Sequence, residues 1–222
     1  NWREKQSRID AKRFVLNCLC ALEAIADSID YIGKHGVVHY DIRCDNILVL
    51  TEEDGSEQFV LGDFGESHFC KQAGEFQFKS RGTECIKSPE MLTVCTHSSA
   101  QNRGAFDRRR VFEYGTSAPS DIWSFGCLVF ELLTSEYLYE ESADNWSTFF
   151  TRLTKHTQVG LQIVPELKQS LLEQVLGDDL GAVVKTQLLD YILIPDPRYR
   201  PTAKNVVFRI QDLAASLQKN EQ

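Results

Sequence analysis

Two aspartates and one asparagine lie on either side of a pair of short apolar runs. Asp41 and Asn46 precede the run at residues 47–50, and Asp63 follows the run at residues 59–61. If the two runs fold back as a hairpin, Asn46 enters one strand at the end where Asp63 leaves the other. Amide and carboxylate oxygens are ligands that suit Mg²⁺. We therefore predict a magnesium site formed by Asn46 and Asp63.

Asp41 and Arg43 add two other kinds of chemistry one loop away. A carboxylate that is not committed to a metal can accept or orient the proton of a hydroxyl group. A guanidinium offers fixed positive charge to a phosphate. The spacing His-x-Asp-x-x-x-x-Asn arises by chance in roughly a few per cent of chains of this length. The alternative that Asp41 and Asn46 are turn residues that cap their own loop therefore stays open at this point.

The elements that must position these residues are mostly helices. Apolar residues recur every three or four positions over 11–32, which predicts an amphipathic helix. Residues 121–133 are apolar nearly all round, which is typical of a helix buried inside a helical domain. Further helices are predicted at 144–154, 180–193 and 203–217, the last with Thr202 as its N-cap. The sequence predicts one mostly helical domain with a small β-hairpin.

Two polar stretches separate these elements. Residues 73–88 have no sustained apolar period, which predicts a long loop of the kind that often carries function. Residues 93–119 contain the triplet Arg108, Arg109 and Arg110 and no core pattern, so we interpret them as an insertion.

Charge and composition argue against several classes of partner. The chain has 24 Lys and Arg against 32 Asp and Glu, and its net charge of −8 argues against nucleic acid. The longest apolar run is interrupted and too short to cross a bilayer, so no membrane partner is expected. The seven cysteines are scattered and include no Cys-x-x-Cys pair, which favours a reducing cytoplasmic or nuclear location.

Five motifs, in this order, resemble those of the C-terminal lobe of the protein kinase family. Residues 39–46 resemble the catalytic loop, and Asp63-Phe64-Gly65 resembles the metal-binding motif that opens an activation segment over 63–90. The resemblance covers nearly the whole chain and implies a single domain, 1–222, with a helical bundle around a buried central helix. The three later motifs are Ser88-Pro89-Glu90, Asp121-Ile122-Trp123-Ser124-Phe125-Gly126 and Asp196-Pro197-Arg198-Tyr199-Arg200-Pro201.

The resemblance implies a role for each residue of the site. Asp41 would be the catalytic base, and Arg43 would be the cation beside the transferred phosphoryl group. Asn46 and Asp63 would bind magnesium and, with it, ATP. Leu48 would form the floor under the adenine.

Other residues would support the site without taking part in the chemistry. Glu90 would pair with Arg200 beneath the activation segment, and Asp121 would hold the backbone of the catalytic loop. His39 would pack under that loop rather than carry protons.

Three departures from the common family pattern bear on the acceptor and on regulation. Arg43 stands where serine/threonine kinases usually carry lysine, and Gly82-Thr83 resembles the pair that precedes their Ala-Pro-Glu, so serine or threonine is the expected acceptor. Tyr40 replaces the arginine that often pairs with a phosphate on the activation segment, which implies that this switch is absent. The insertion lengthens the gap between Glu90 and Asp121.

No glycine-rich loop and no Val-Ala-Ile-Lys strand stand ahead of Arg8. We therefore expect a fragment without its N-terminal lobe, inactive alone, whose face near Leu48 and Phe64 would be covered by that lobe or by another protein. The expected function is transfer of the ATP γ-phosphate to a serine or threonine of a protein substrate, with magnesium.

Two alternatives to this function stay open. A pseudokinase or scaffold without catalysis is favoured by the missing lobe and disfavoured by the intact Asp41, Asn46 and Asp63. A small-molecule phosphotransferase shares the His-x-Asp-x-x-x-x-Asn loop, but Ser88-Pro89-Glu90 and the helix at Asp121 argue against it.

Overall fold

Helical segments carry most of the residues described by the computed structural model, which are 2, 10–71, 75, 77, 79, 81–92, 117–139 and 163–219. A π-helical segment, Lys185–Leu189, joins the fourth helix to the fifth. The mostly helical fold class predicted from the sequence is confirmed. The helices are α1 (Ala11–Lys34), α2 (Ala118–Thr134), α3 (Glu166–Leu176), α4 (Asp178–Val184), α5 (Asp190–Ile192) and α6 (Ala203–Lys219).

Helix α2 lies at the centre of the core, as its apolar composition predicts. Trp123, Phe125 and Phe130 are fully buried, and α2 contacts α1, α3 and α5. A Cβ added to Gly126 would lie 2.6 Å from Leu193 Cδ2, so the segment after α5 packs directly against the α2 backbone. A larger residue at this position would require the side chains of Leu193 and Ile192 to move.

Helices α1 and α6 pack against each other and present the apolar faces that their periodicity predicts. The α1 N-cap is Asp10, whose Oδ1 accepts a hydrogen bond from the N–H of Arg13 at 2.9 Å. The predicted N-cap of α6 is also confirmed, because Thr202 Oγ1 accepts from the N–H of Asn205 at 3.2 Å. These caps fix where the two helices begin.

Two small antiparallel sheets flank the helices. Strand β2 (Ile47–Thr51) pairs with β3 (Glu57–Leu61) in the predicted hairpin, with Ile47 opposite Leu61. Strand β1 (Val37–Val38) pairs with β4 (His68–Phe69). Two-residue strands leave no periodic signal in a sequence, and the β1–β4 sheet was therefore not predicted. It ties the start of the catalytic loop to the start of the activation segment.

Some helix predictions differ from the structure. Helix α3 was not predicted, because only Leu172 and Leu176 of its 11 residues are buried and Leu167 is 84% exposed. The helix predicted over 180–193 is instead α4, the π-helical segment and α5. The helix predicted over 144–154 and most of the 93–119 insertion, including the arginine triplet, lie outside the described residues. Among the described helices, none combines the length and apolar character that a membrane span requires.

Candidate active site

The carboxylate of Asp121 holds the backbone of the catalytic loop. Its Oδ2 accepts a hydrogen bond from the N–H of His39, and its Oδ1 accepts one from the N–H of Tyr40, both at 2.7 Å. Burial raises the pKa of Asp121 to about 7, and the two N–H donors oppose this shift because they favour the ionised form. Tyr40 has a left-handed φ of 67°, so these bonds stabilise a strained turn. The predicted anchoring role of Asp121 is confirmed.

His39 lies fully buried under the loop, as predicted. Its Nδ1 accepts a hydrogen bond from the N–H of Asp41 at 3.2 Å, and its Nε2–H donates to the carbonyl of Gly62 at 3.0 Å. The backbone N–H can only donate, which fixes the proton on Nε2. Burial lowers the pKa of His39, which keeps the ring neutral. The side chain therefore joins the catalytic loop to the end of the hairpin and moves no proton itself.

The carboxylate of Asp41 is fixed between two elements. Its Oδ2 accepts a hydrogen bond from Asn46 Nδ2 at 2.9 Å, and its Oδ1 accepts one from the N–H of Thr83 at 2.9 Å. Asn46 Nδ2 also donates to the carbonyl of Asp41 at 2.8 Å. The catalytic loop and the far end of the activation segment thus both orient this side chain.

The guanidinium of Arg43 lies between two carboxylates of the catalytic loop. Its Nη2 is 2.9 Å from Asp45 Oδ2, and its Nε is 3.9 Å from Asp41 Oδ2. The Arg43 side chain is 25% exposed, whereas that of Asp45 is 63% exposed. The structure therefore brings fixed positive charge beside Asp41, where the sequence analysis expects it.

Asn46 and Asp63 lie at the same end of the hairpin. The carbonyl of Asn46 accepts a hydrogen bond from the N–H of Gly62 at 2.8 Å, and Asp63 is the next residue. Asp63 is exposed and has a left-handed φ of 56°, and its Oδ1 accepts from the N–H of Gly65 at 3.2 Å. The convergence predicted from the sequence is present, and metal binding by these two residues stays a prediction.

The donor set fits magnesium. Mg²⁺ is usually held by one or two protein oxygen ligands together with waters and substrate phosphates. The Asp63 carboxylate is open to solvent, and the two hydrogen bonds of the Asn46 side chain both use Nδ2 and leave Oδ1 outside them. Among the described residues, no three His, Cys, Asp or Glu side chains form a cluster that could hold a metal ion. This end of the hairpin therefore suits a magnesium ion held by two protein ligands, Asn46 and Asp63, better than one coordinated by protein side chains alone.

Apolar surface lies next to these oxygen ligands. Leu48 is 56% exposed, and its Cδ1 is 3.5 Å from the position that a Cβ on Gly62 would take. Phe64, directly after Asp63, is 44% exposed. Exposed apolar side chains beside polar ones are typical of a surface that contacts a ligand or a partner. The predicted position of Leu48 under an adenine is compatible with this placement.

The two ends of the activation segment are joined by contacts that the sequence analysis missed. Arg81 Nη1 donates to the carbonyl of Glu66 at 3.0 Å, and Glu66 Oε2 accepts from the N–H of Gly82 at 3.3 Å. The Arg81 guanidinium also lies 5.9 Å from the ring centroid of Tyr40. Glu66 and Arg81 are 15 residues apart, and no spacing rule relates them.

The predicted ion pair between Glu90 and Arg200 is confirmed. Arg200 Nη1 is 2.7 Å from Glu90 Oε1, and Nη2 is 3.1 Å from Oε2, so the contact is bidentate. The two side chains are 1% and 0% exposed. The pair joins the end of the activation segment to the loop before α6.

Comparison with known proteins agrees with this geometry. The family model described as the protein kinase domain matches residues 17–209. A Dictyostelium discoideum protein described as a probable serine/threonine-protein kinase is 36% identical over 93% of this chain. Human mitogen-activated protein kinase kinase kinase 4 is 27% identical over 92%, and Arabidopsis thaliana mitogen-activated protein kinase kinase kinase 1 is 30% identical over 82%.

These relatives are much longer proteins. The chain spans 8% of the Dictyostelium protein, 10% of the human protein and 24% of the Arabidopsis protein. The similarity therefore concerns one region of each relative.

Proposed function

Because this chain belongs to the protein kinase family, we propose that it carries the catalytic loop of a serine/threonine protein kinase. The proposed reaction transfers the γ-phosphate of ATP to a serine or threonine hydroxyl of a protein. The observation that carries the proposal is the Asp41 carboxylate, held by Asn46 and Thr83 beside the cation of Arg43.

Asp41 acts on the acceptor hydroxyl. The hydroxyl oxygen forms a bond to the γ-phosphorus, the bond from that phosphorus to the β–γ bridging oxygen breaks, and ADP leaves. Asp41 orients the hydroxyl and accepts its proton. The hydrogen bonds from Asn46 and Thr83 set the direction of the carboxylate before the substrate arrives, which lowers the entropic part of the barrier.

Arg43 supplies positive charge where negative charge has to be neutralised. Its guanidinium is planar and always charged, so its pairing with Asp45 fixes both its position and its orientation. Lysine, which the family usually carries here, is a more mobile point charge. Arg43 therefore suits a bidentate contact with phosphate oxygens.

Asn46 and Asp63 would hold magnesium, and Leu48 would contact the adenine. Bound Mg²⁺ would neutralise charge on the ATP phosphates. The chain contains no Gly-x-Gly-x-x-Gly motif. We therefore propose that the remaining nucleotide contacts come from a part of the gene product outside these 222 residues and cover the face near Leu48 and Phe64.

The acceptor can be identified with three peptides that differ only in carrying serine, threonine or tyrosine. The full-length protein, supplied with Mg²⁺ and γ-labelled ATP, should label the serine and threonine peptides and leave the tyrosine peptide near background. Arg43 and the Gly82-Thr83 pair are the basis for this expectation.

Other outcomes separate the alternatives. Predominant phosphotyrosine would contradict the acceptor assignment. Nucleotide binding without transfer to any peptide would favour a pseudokinase. Transfer to a small molecule alone would favour a small-molecule phosphotransferase.

Gly82→Ala should lower transfer by about tenfold to a hundredfold. Gly82 has a left-handed φ of 73°, and a Cβ there would lie 2.0 Å from the carbonyl oxygen of Tyr40. The end of the activation segment would have to move off the catalytic loop, which would break the hydrogen bond from Thr83 to Asp41. Steady-state transfer to the serine peptide measures the effect.

Gly55→Ala is the matched control. Gly55 has a similar φ of 83° in the hairpin turn, and a Cβ there would meet no atom within 4 Å. This variant carries the same backbone strain without the clash, so its transfer rate should stay near that of the unsubstituted protein. Equal rates for both alanine variants would contradict the positioning role of Gly82.

A further inference from the structure

The direction of the Asp41 carboxylate depends on a peptide group that lies far from it in the chain. Asp41 Oδ1 accepts a hydrogen bond from the N–H of Thr83, which is 42 residues away. This N–H belongs to the planar peptide group between Gly82 and Thr83, so the position of Gly82 sets its direction. Gly82 itself lies directly against the carbonyl oxygen of Tyr40. Whatever holds Gly82 in place therefore also orients the proposed catalytic base.

The carboxylate of Glu66 holds Gly82 from the other end of the activation segment. Its Oε2 accepts a hydrogen bond from the N–H of Gly82 at 3.3 Å. Two consecutive N–H groups, those of Gly82 and Thr83, thus donate to two carboxylates, those of Glu66 and Asp41. An ionised acceptor strengthens such a hydrogen bond. Glu66 therefore fixes the peptide group whose N–H is directed at the base.

Glu66 can act in this way because its own backbone is fixed. It ends a single 3₁₀ turn, Phe64–Glu66, that begins directly after Asp63. The turn is closed by Ser67, whose N–H donates to the carbonyl of Phe64 at 3.1 Å and whose Oγ donates to the same carbonyl at 2.7 Å. One side chain thus joins the turn that follows the proposed magnesium ligand to the peptide group that orients the base.

Arg81 makes the reciprocal contact between the same two stretches of chain. Its Nη1 donates to the carbonyl of Glu66 at 3.0 Å and to that of Ser67 at 3.5 Å. Its guanidinium lies 5.9 Å from the ring centroid of Tyr40, which is 3% exposed. A buried aromatic ring is a fixed surface for a guanidinium. The side chain of residue 66 therefore binds the backbone of residue 82, and the side chain of residue 81 binds the backbone of residue 66.

We propose that Glu66 and Arg81 are positioning residues for Asp41, and that together they keep the N–H of Thr83 directed at its carboxylate. This inference rests on the proposed function and adds two residues to the machinery of that reaction. Both act through Gly82 and Thr83. A base that is oriented before the substrate arrives lowers the barrier of the transfer step. Loss of either side chain should therefore reduce kcat rather than the affinity for ATP.

The test measures transfer to the serine peptide by the full-length protein at saturating magnesium-ATP. Glu66→Ala should lower kcat by about tenfold, because Gly82 and Thr83 can then shift away from Asp41. Glu66→Gln should recover most of this loss, since its amide oxygen can still accept a hydrogen bond from the N–H of Gly82. Calorimetry should show the same affinity for magnesium-ATP in both variants as in the unsubstituted protein.

A double-mutant cycle tests whether the two side chains act together. Arg81→Ala should lower kcat about as much as Glu66→Ala does. The variant that carries both changes should lose little more than either single variant, because the loss of one contact already allows the peptide group to shift. Losses that multiply in the double variant would overturn the joint role.

Glu75→Ala is the matched control within the activation segment. Glu75 Oε2 also accepts from a backbone N–H, that of Lys71 at 2.7 Å, and its Oε1 accepts from Gln77 Nε2 at 2.8 Å. This variant should keep a kcat near that of the unsubstituted protein. An unchanged kcat in Glu66→Ala, or an equal loss in Glu75→Ala, would overturn the inference and leave the proposed function intact. No transfer by the unsubstituted protein would contradict the proposed function itself.

Discussion

Replacing Arg200 with alanine should lower the free energy of unfolding by about 3 to 5 kcal/mol. The reason is the carboxylate that the change leaves behind. Glu90 is 1% exposed, and beyond Arg200 it accepts a hydrogen bond from Ser120 Oγ at 2.9 Å. Arg200 also donates to the carbonyls of Pro119, Ile194 and Pro195. Alanine would therefore strand one buried charge and three carbonyl groups.

The pKa of Glu90 gives a second signature of the same ion pair. Burial alone would raise this pKa, but the charge and hydrogen bonds of Arg200 outweigh burial and hold it below its ordinary value of 4.5. Because the folded-state pKa is lowered, the pair stabilises the fold above pH 4.5 and loses this contribution as the pH falls through the lowered pKa. Arg200→Ala should remove this part of the acid sensitivity.

Urea denaturation of the full-length protein, followed by circular dichroism, measures the change. Arg198→Ala is the matched control in the same loop. Arg198 Nε is 2.9 Å from Asp196 Oδ1, but its side chain is 53% exposed. Exposed ion pairs contribute about 0 to 1 kcal/mol. A similar, small loss of stability in both variants would contradict the role assigned to the buried pair.

Helix α2 shows how much of the fold the sequence predicts. A helix that is apolar on nearly every face has to be buried on nearly every side, and α2 is buried in this way. The hairpin follows from two short apolar runs joined by a polar turn with Gly55. Once the hairpin is predicted, Asn46 and Asp63 have to meet at one end, so part of the candidate site follows from local patterns alone.

The features that were missed depend on contacts between distant residues. Glu131 lies 87 residues from Cys44, and only the packing of α2 behind the catalytic loop lets its carboxylate accept a hydrogen bond from the N–H of Cys44. The contacts of Glu66 with Arg81 and Gly82 join residues that are 15 and 16 positions apart. Neither contact has a periodic signal, because each side chain meets its partner through the tertiary fold and not through one helix face or strand.

Replacing Asp41 with asparagine should lower kcat by about 10²-fold to 10⁴-fold, the range expected for loss of a general base. Asparagine has nearly the same shape, and its amide oxygen can still accept one of the two hydrogen bonds that Asp41 accepts. The loop should therefore keep its position, held by Asp121 from below. The amide cannot take the hydroxyl proton, so the loss should appear in kcat and not in the affinity for ATP.

Asp54→Asn is the matched control for this change. Asp54 is an exposed aspartate in the hairpin turn, where its Oδ1 accepts from the N–H of Ser56 at 2.8 Å. Asparagine can make the same turn contact, so this variant should transfer phosphate at the unsubstituted rate. Calorimetry with magnesium-ATP checks that the unsubstituted protein, Asp41→Asn and Asp54→Asn bind the nucleotide equally well.

The measurement that tests the central claim most directly is kcat for transfer from γ-labelled ATP to the serine peptide. It is made at saturating magnesium-ATP with the full-length protein and its Asp41→Asn variant. We expect steady transfer by the unsubstituted protein and at most about one hundredth of that rate in the variant. Equal rates in the two proteins would contradict the assignment of Asp41, and no transfer by the unsubstituted protein would contradict the assignment of the chain to an active kinase.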